Sequence, residues 1–251
     1  MTSAPVTPAP EAPALSEPKR IIDTLVAPSK TFTDIRRSAA WWGPFLVAII
    51  TTLIFVYSVD TKVGFRKVTE HQIEQSPRAT QRMEQLSRTE RENAIAGQTK
   101  ITRGISYGYW VIILVWNLLI GAILFATFKF ALNAELKFSQ TFAVVMYAGL
   151  ALALRGLLAV VMLFAGLDPD TFNMQNPAPS NPGYFLSPTG SPFLYSFASS
   201  IDIFMIWTLV LTALGISIIS HKTKFSTALI VVFGWYAVFV LTIAGITAAF
   251  A

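Results

Sequence analysis

Residues 105–128 read ISYGYWVIILVWNLLIGAILFATF and contain no charged side chain in 24 consecutive positions. A helix needs roughly 20 apolar residues to cross the hydrocarbon core of a bilayer, whereas strands run to about 8 residues. In lipid, a helix also satisfies its own backbone hydrogen bonds, which an open strand cannot do. This stretch therefore predicts a transmembrane helix.

Four other stretches have the same character, with at most one charged residue each, over residues 41–59, 141–167, 193–220 and 225–251. Charged residues form only 13% of the 251-residue chain. That share is about half of what an average soluble domain carries. We therefore predict an all-α fold, a polytopic transmembrane helical bundle of five spans.

The chain before the first span divides into two parts. Residues 1–18 are rich in Pro and Ala and predict a disordered tail. Residues 19–40 carry apolar side chains at helical spacing and basic residues on the other face, which predicts two short amphipathic helices. Such helices lie in the membrane interface or pack on the protein itself, and the sequence leaves both open. The expected interface residues are Lys30, Phe32, Arg36, Arg37, Trp41 and Trp42.

Two long loops separate spans on one side. Residues 60–104 are polar and predict helices, because Ser87 to Glu90 form a capping-box pattern and Ser76 can cap a helix that begins at Pro77. Residues 168–192 contain six prolines and no Lys or Arg. They are expected to form either an ordered lid or a flexible loop.

Orientation follows from the short loops, because Lys and Arg concentrate on the cytoplasmic side. Lys129, Lys137, Lys222 and Lys224 lie in the loops before the third and fifth spans. We therefore predict a cytoplasmic N-terminus and an external C-terminus. The nine basic residues of residues 60–104 oppose this assignment. We expect the net charge of +5 to face lipid headgroups, and we expect no binding to nucleic acid.

Arg155 is the only basic residue within the five spans, and Asp202 is the only acidic one. An arginine at the centre of a membrane costs about 2.5–3.5 kcal/mol, so a partner is expected. Counted from the cytoplasmic ends of antiparallel spans, the two residues differ in height by about 6 Å. We predict a contact between them, direct or through water or Asn117. This polar cluster is either a helix clamp or part of a solute pathway.

The sequence contains no recognisable catalytic or metal-binding constellation. It has no cysteine, and its two histidines, His71 and His221, lie far apart. Zinc, phosphate-loop and nucleophile-elbow motifs are missing. We expect no cofactor and no enzymatic activity.

Residues 22–32 read IDTLVAPSKTF, and residues 41–45 read WWGPF. Together with the five-span layout, they resemble bacterial members of the Yip-type family, membrane proteins named for interacting with Ypt/Rab GTPases. The resemblance implies a five-span protein of unassigned activity in the bacterial cytoplasmic membrane. The Asp-Leu-Tyr-Gly-Pro motif of eukaryotic members is represented only by Trp42-Gly43-Pro44, so GTPase binding is not inferred.

Two functions remain open at this stage. A membrane organiser or adaptor is favoured by the N-terminal helices and the large polar loop. Protein partners and a homo-oligomer both remain open, and a homo-oligomer without a partner favours the second function. A transporter or permease subunit is favoured by Arg155, Asp202 and Asn117 within the bundle, although no inverted repeat is visible.

Overall fold

The structure, a computed structural model, describes residues 14–250, and only the backbone of Phe250. The predicted tail lies mostly outside the described residues, but its last two residues open the first helix. The helices are α1 (Glu17–Val26), α2 (Pro28–Ile35), α3 (Trp42–Lys62), α4 (Phe65–Glu74), α5 (Pro77–Glu84), α6 (Arg88–Tyr107), α7 (Tyr109–Ala126), α8 (Phe138–Ala148), α9 (Leu150–Phe164), α10 (Pro192–Ser200), α11 (Ile203–Ile219) and α12 (Phe225–Phe250). A π-helical turn at Thr127–Ala131 and a 3-10 turn at Pro182–Phe185 complete the set among these residues.

Four helical segments are long and apolar enough to cross a membrane: Trp42–Lys62, Tyr109–Ala131, Phe138–Phe164 and Phe225–Ala249. A fifth exists if α10 and α11 count as one span, bent by 51°. The prediction of an all-α membrane bundle is confirmed. The count of five spans rests on this bent pair.

The predicted fourth span is not one continuous helix. It breaks after Ser200, and α11 begins at Ile203 with Asp202 as its N-cap. Oδ1 of Asp202 accepts hydrogen bonds from the amides of Phe204 at 2.9 Å and Met205 at 3.2 Å. Aspartate favours this capping geometry over a position inside a helix, which explains why the chain breaks here.

Helix α8 lies at the centre of the bundle. Every residue from Thr141 to Ala148 is buried, and α1, α2, α3, α7 and α11 all contact the helix. Gly215 of α11 allows α8 and α2 to approach α11 closely, because a Cβ there would collide with Val144 and lie 3.1 Å from Cδ1 of Phe32. A glycine therefore sets the distance between three helices.

The N-terminal helices pack on the bundle. Phe32 and Ile35 of α2 are fully buried in the main core, against α8 and α11. The assignment of Phe32 to the membrane interface is therefore wrong. Burial of its ring beside Gly215 removes apolar surface from water, which stabilises the packing of α2 on the bundle.

The opposite end of the bundle carries a polar arm, defined as α4, α5 and α6. Both predicted caps are confirmed: the Ser76 side chain accepts from Ala79 N, and Ser87 and Glu90 form a capping box. The arm contacts the proline-rich loop, since Phe172 is 2% exposed in a core with Phe65 and His71 Nδ1 lies 3.2 Å from the Phe172 carbonyl oxygen. The loop thus packs on the arm as a lid; the sequence left a lid and a flexible loop open.

Candidate functional site: a polar network inside the bundle

The Asp202 network joins α9, α11 and the proline-rich lid. Asp202 is 1% exposed, and its Oδ1 is occupied by the α11 cap. Its Oδ2 accepts from the Ser180 hydroxyl and from Asn181 Nδ2 at 3.4 Å. Both carboxylate oxygens therefore accept hydrogen bonds, independently of any pairing with a cation.

Arg155 is the cation that the sequence analysis proposed as its partner. Arg155 Nε lies 3.3 Å from Oδ2 of Asp202, and the arginine side chain is 23% exposed. Nε is buried and makes no hydrogen bond among the described residues, so the contact is a coulombic pairing without directed donation. The alanines that share the face of Arg155 with it, Ala148, Ala151 and Ala159, are fully buried.

The lid closes over the pair through an amide cluster. Asn176 and Asn181 exchange hydrogen bonds at 3.0 and 2.7 Å, and Asn181 also accepts from the amide of Tyr184 at 3.0 Å. The main chain of Ser180 accepts from Ile203 N at 3.0 Å. These contacts tie the lid to the first turn of α11.

The structure does not bring Asn117 into this network. Asn117 is half-buried on α7, a helix that packs against α8 and α3. Its side chain makes no hydrogen bond within residues 14–250. Two of the three residues of the predicted cluster therefore meet, and the third lies elsewhere.

A second buried charge network was missed by the sequence analysis. Arg20 is 3% exposed and pairs with Glu17 at 3.2 Å and with Asp34. The Tyr147 hydroxyl donates to Glu17 Oε2 at 2.6 Å. These four residues, the N-terminal clamp, fasten α1 and α2 to α8. The available signal was Ser16-Glu17-Pro18, a cap followed by an acidic first turn and an early proline.

The other residues expected at the interface lie around the N-terminal helices. Lys30, Arg36 and Arg37 are exposed, and Arg37 pairs with Asp34. Trp42 is 52% exposed, whereas Trp41 packs on Phe142 with 5.3 Å between ring centroids. Charged partners also act on the polar arm, where the Arg66 guanidinium lowers the pKa of the Glu92 carboxyl.

A bundle of long apolar helices with buried ion pairs defines a polytopic integral membrane protein. Within residues 14–250, no group of His, Cys, Asp or Glu is arranged to hold a metal ion. The family model of the Yip1 domain matches residues 22–246, and the chain belongs to the Yip1 domain family. Comparison with curated proteins and with solved structures gave no match.

Proposed function

We propose that this Yip1 domain protein is a non-enzymatic membrane adaptor that holds a protein partner on its polar arm. The observation that carries the proposal is the saturation of Asp202. Its oxygens are engaged by Ser180, Asn181 and the α11 cap, and its side chain is 2% exposed. A carboxylate whose oxygens are engaged in this way fastens the lid to α11. It has a structural role and is not a binding site for a transported solute.

The polar arm offers the exposed charged surface on which a protein partner would bind. The arm consists of three helices. The buried residues of its own apolar core are Ile73, Met83 and Ile95. Arg82 and Lys100 on this arm are exposed and form no ion pair among the described residues. Unpaired charges of this kind steer association with an oppositely charged surface.

The alternative is a permease subunit, and one observation favours it. Arg155 retains 23% exposure, and its buried Nε has no hydrogen bond among the described residues. An intramembrane cation in this state is a reasonable anion-binding group. Against this, neither the cleft beside Arg36 and Lys129 at the end of the bundle nor the cleft beside Arg66 on the polar arm is lined by Arg155 or Asp202.

The proposed setting is the bacterial cytoplasmic membrane. The N-terminal helices and the turns at residues 132–137 and 220–224 would face the cytoplasm, and the arm and lid would face outward. The basic short loops support this orientation.

The test is purification from native membranes in mild detergent, with mass spectrometry of what co-purifies. We expect a stoichiometric protein that is lost in the double variant Arg82→Glu with Lys100→Glu. The matched control, Lys19→Glu with Lys30→Glu, reverses two exposed charges at the other end and should retain the partner. A homo-oligomer without a partner would contradict the adaptor. Solute flux in liposomes that is abolished by Arg155→Leu would then support the permease.

A further inference from the structure

A basic cleft opens at the end of the bundle that carries the N-terminal helices. It encloses about 830 Å³ between the end of α2, the chain from Lys129 to Gln140, and the α11–α12 turn. Gln140 Nε2 donates to the Arg36 carbonyl oxygen at 3.1 Å, and Arg36 Nη2 contacts Nε2 of His221. The three walls are therefore fastened to one another.

The charge of this cleft is strongly unbalanced. Its lining includes four cations, Arg36, Lys129, Lys137 and Lys222, and a single carboxylate, Glu135. Glu135 pairs with Lys222. The nearby Asp34 is engaged by Arg20 and Arg37. Within residues 14–250, Arg36, Lys129 and Lys137 therefore face the cleft without a carboxylate partner, which favours binding of an anion.

The backbone holds these cations in place. Below the π-helical turn, Leu132 N donates to the Thr127 carbonyl at 3.2 Å and Ala134 N to the Phe128 carbonyl at 2.9 Å. Asn133 adopts a φ of 51°, a left-handed conformation that asparagine tolerates better than most residues. The turn thus reverses the chain so that Lys129 and Lys137 line the same cleft.

The surroundings of the cleft are apolar, and they lie where the spanning segments end. Tyr109–Ala131 ends there, Phe138–Phe164 begins there, and α11 reaches its last residue. Large side chains at this level are exposed, namely Phe130 at 75%, Leu132 at 43%, Phe138 at 38% and Phe225 at 40%. A cation cluster rimmed by exposed apolar groups fits a molecule with a charged head and acyl chains.

We propose that this cleft binds the phosphate-bearing headgroup of an anionic phospholipid, with the acyl chains lying along the exposed aromatic rim. Arg36 offers paired N–H donors to phosphate oxygens, and the lysines add charge. Lipid and soluble phosphates share this chemistry, and the apolar rim favours the lipid. The inference is independent of the proposed adaptor function, because the arm lies at the opposite end of the bundle.

The test uses the purified full chain in detergent, titrated with phosphatidylglycerol or phosphatidylcholine and followed by native mass spectrometry. We expect selective retention of phosphatidylglycerol. The double variant Lys129→Gln with Lys137→Gln should bind it about 25-fold more weakly, at roughly fivefold for each cation removed. The control Arg82→Gln with Lys100→Gln removes the same charge from the arm and should bind as the parent does.

Three results would overturn the proposal. These are equal binding of the two lipids, equal loss in the control variant, and competition by glycerophosphoglycerol as strong as that by the intact lipid. The last result would assign the cleft to a soluble phosphate.

Should the lysine variant fail to fold, the salt dependence of phosphatidylglycerol binding to the parent tests the proposal instead. Binding that does not weaken between 50 and 500 mM salt, conditions chosen to span about a threefold change in screening length, contradicts a charged cleft.

Discussion

At the level of single residues, Asp202 and Arg155 form one ion pair but contribute unequally to the stability of the fold. Asp202 caps α11, fastens the lid and faces the arginine. Arg155 contributes only the coulombic contact, and its side chain is 23% exposed. The two ends of the pair should therefore respond differently to substitution.

We predict that Asp202→Ala lowers the free energy of unfolding by about 3 kcal/mol, because it removes a helix cap and leaves a cation without a partner. Arg155→Met should cost about 1 kcal/mol, because the carboxylate keeps its other donors. Thermal unfolding in detergent, followed by tryptophan fluorescence, measures both. Asn117→Ala is the control and should unfold as the parent does.

The charge-swapped double variant gives a sharper result. Arg155→Asp with Asp202→Arg should stay as unstable as Asp202→Ala, because arginine has no acceptor for the amides of Phe204 and Met205. Recovery of full stability would show that charge alone holds this site together, and that the cap contributes little.

The N-terminal clamp leads to a second prediction. Tyr147→Phe removes the 2.6 Å hydrogen bond to Glu17, a charge-assisted bond that contributes about 1.5–3 kcal/mol. We expect faster hydrogen exchange in α1 and α2 and cleavage by trypsin after Lys19. Tyr109→Phe, in which the lost hydroxyl is exposed and makes no bond among residues 14–250, should change neither readout.

The parts of the site that could be predicted are those built from charged residues, which are rare in the apolar stretches. Arg155 and Asp202 are the only charged residues in the five apolar stretches of the sequence, so their contact could be predicted. The capping role could not, because it depends on a break in the chain that hydropathy does not register. The clamp was missed because Glu17 stood in a Pro- and Ala-rich context and Tyr147 within an apolar span.

At the level of elements, the packing of α2, α8 and α11 depends on Gly215. Gly215→Ala would push a methyl group into Val144 and crowd Phe32. We predict a loss of about 1–3 kcal/mol, the usual cost of overpacking. Gly234→Ala in α12 is the matched control, because nothing lies within 4 Å of its Cβ position. This control should be neutral or slightly stabilising.

Adding Val144→Ala to Gly215→Ala should restore part of the lost stability, because it removes the side chain that collides. A Gly215→Ala protein that unfolds at the parent temperature would mean that α11 does not pack this closely against Val144 of α8 and Phe32 of α2.

The elements themselves were mostly predictable, because a 20-residue apolar run has few alternatives in lipid. The caps at Ser76 and Ser87 were also readable, since capping is a local pattern. The docking of α1 and α2 was not, because an amphipathic face suits a membrane surface as well as a protein groove. The groove beside Gly215 holds the apolar face of α2, and this groove could not be predicted from the pattern of α2 itself.

For the whole molecule, the proposed orientation can be tested with single cysteines, because the chain has none of its own. A membrane-impermeant maleimide applied to intact cells should label Gln81→Cys on the arm and leave Ser38→Cys unlabelled. Both positions are exposed, so accessibility within the protein does not separate them. After lysis, both should react. The reverse labelling pattern would place the arm in the cytoplasm.

The burial of Phe32 between α8 and α11 also sets an order of events in time. A ribosome makes α2 before it has made Ile203–Ile219. At about 5–20 residues per second, roughly 10 to 35 seconds separate the two segments. During that interval the apolar face of α2 has no protein groove to occupy. Helix α2 is thus made well before the groove that holds it, and its apolar face lies on the bilayer surface or is bound by a chaperone until α11 is in place.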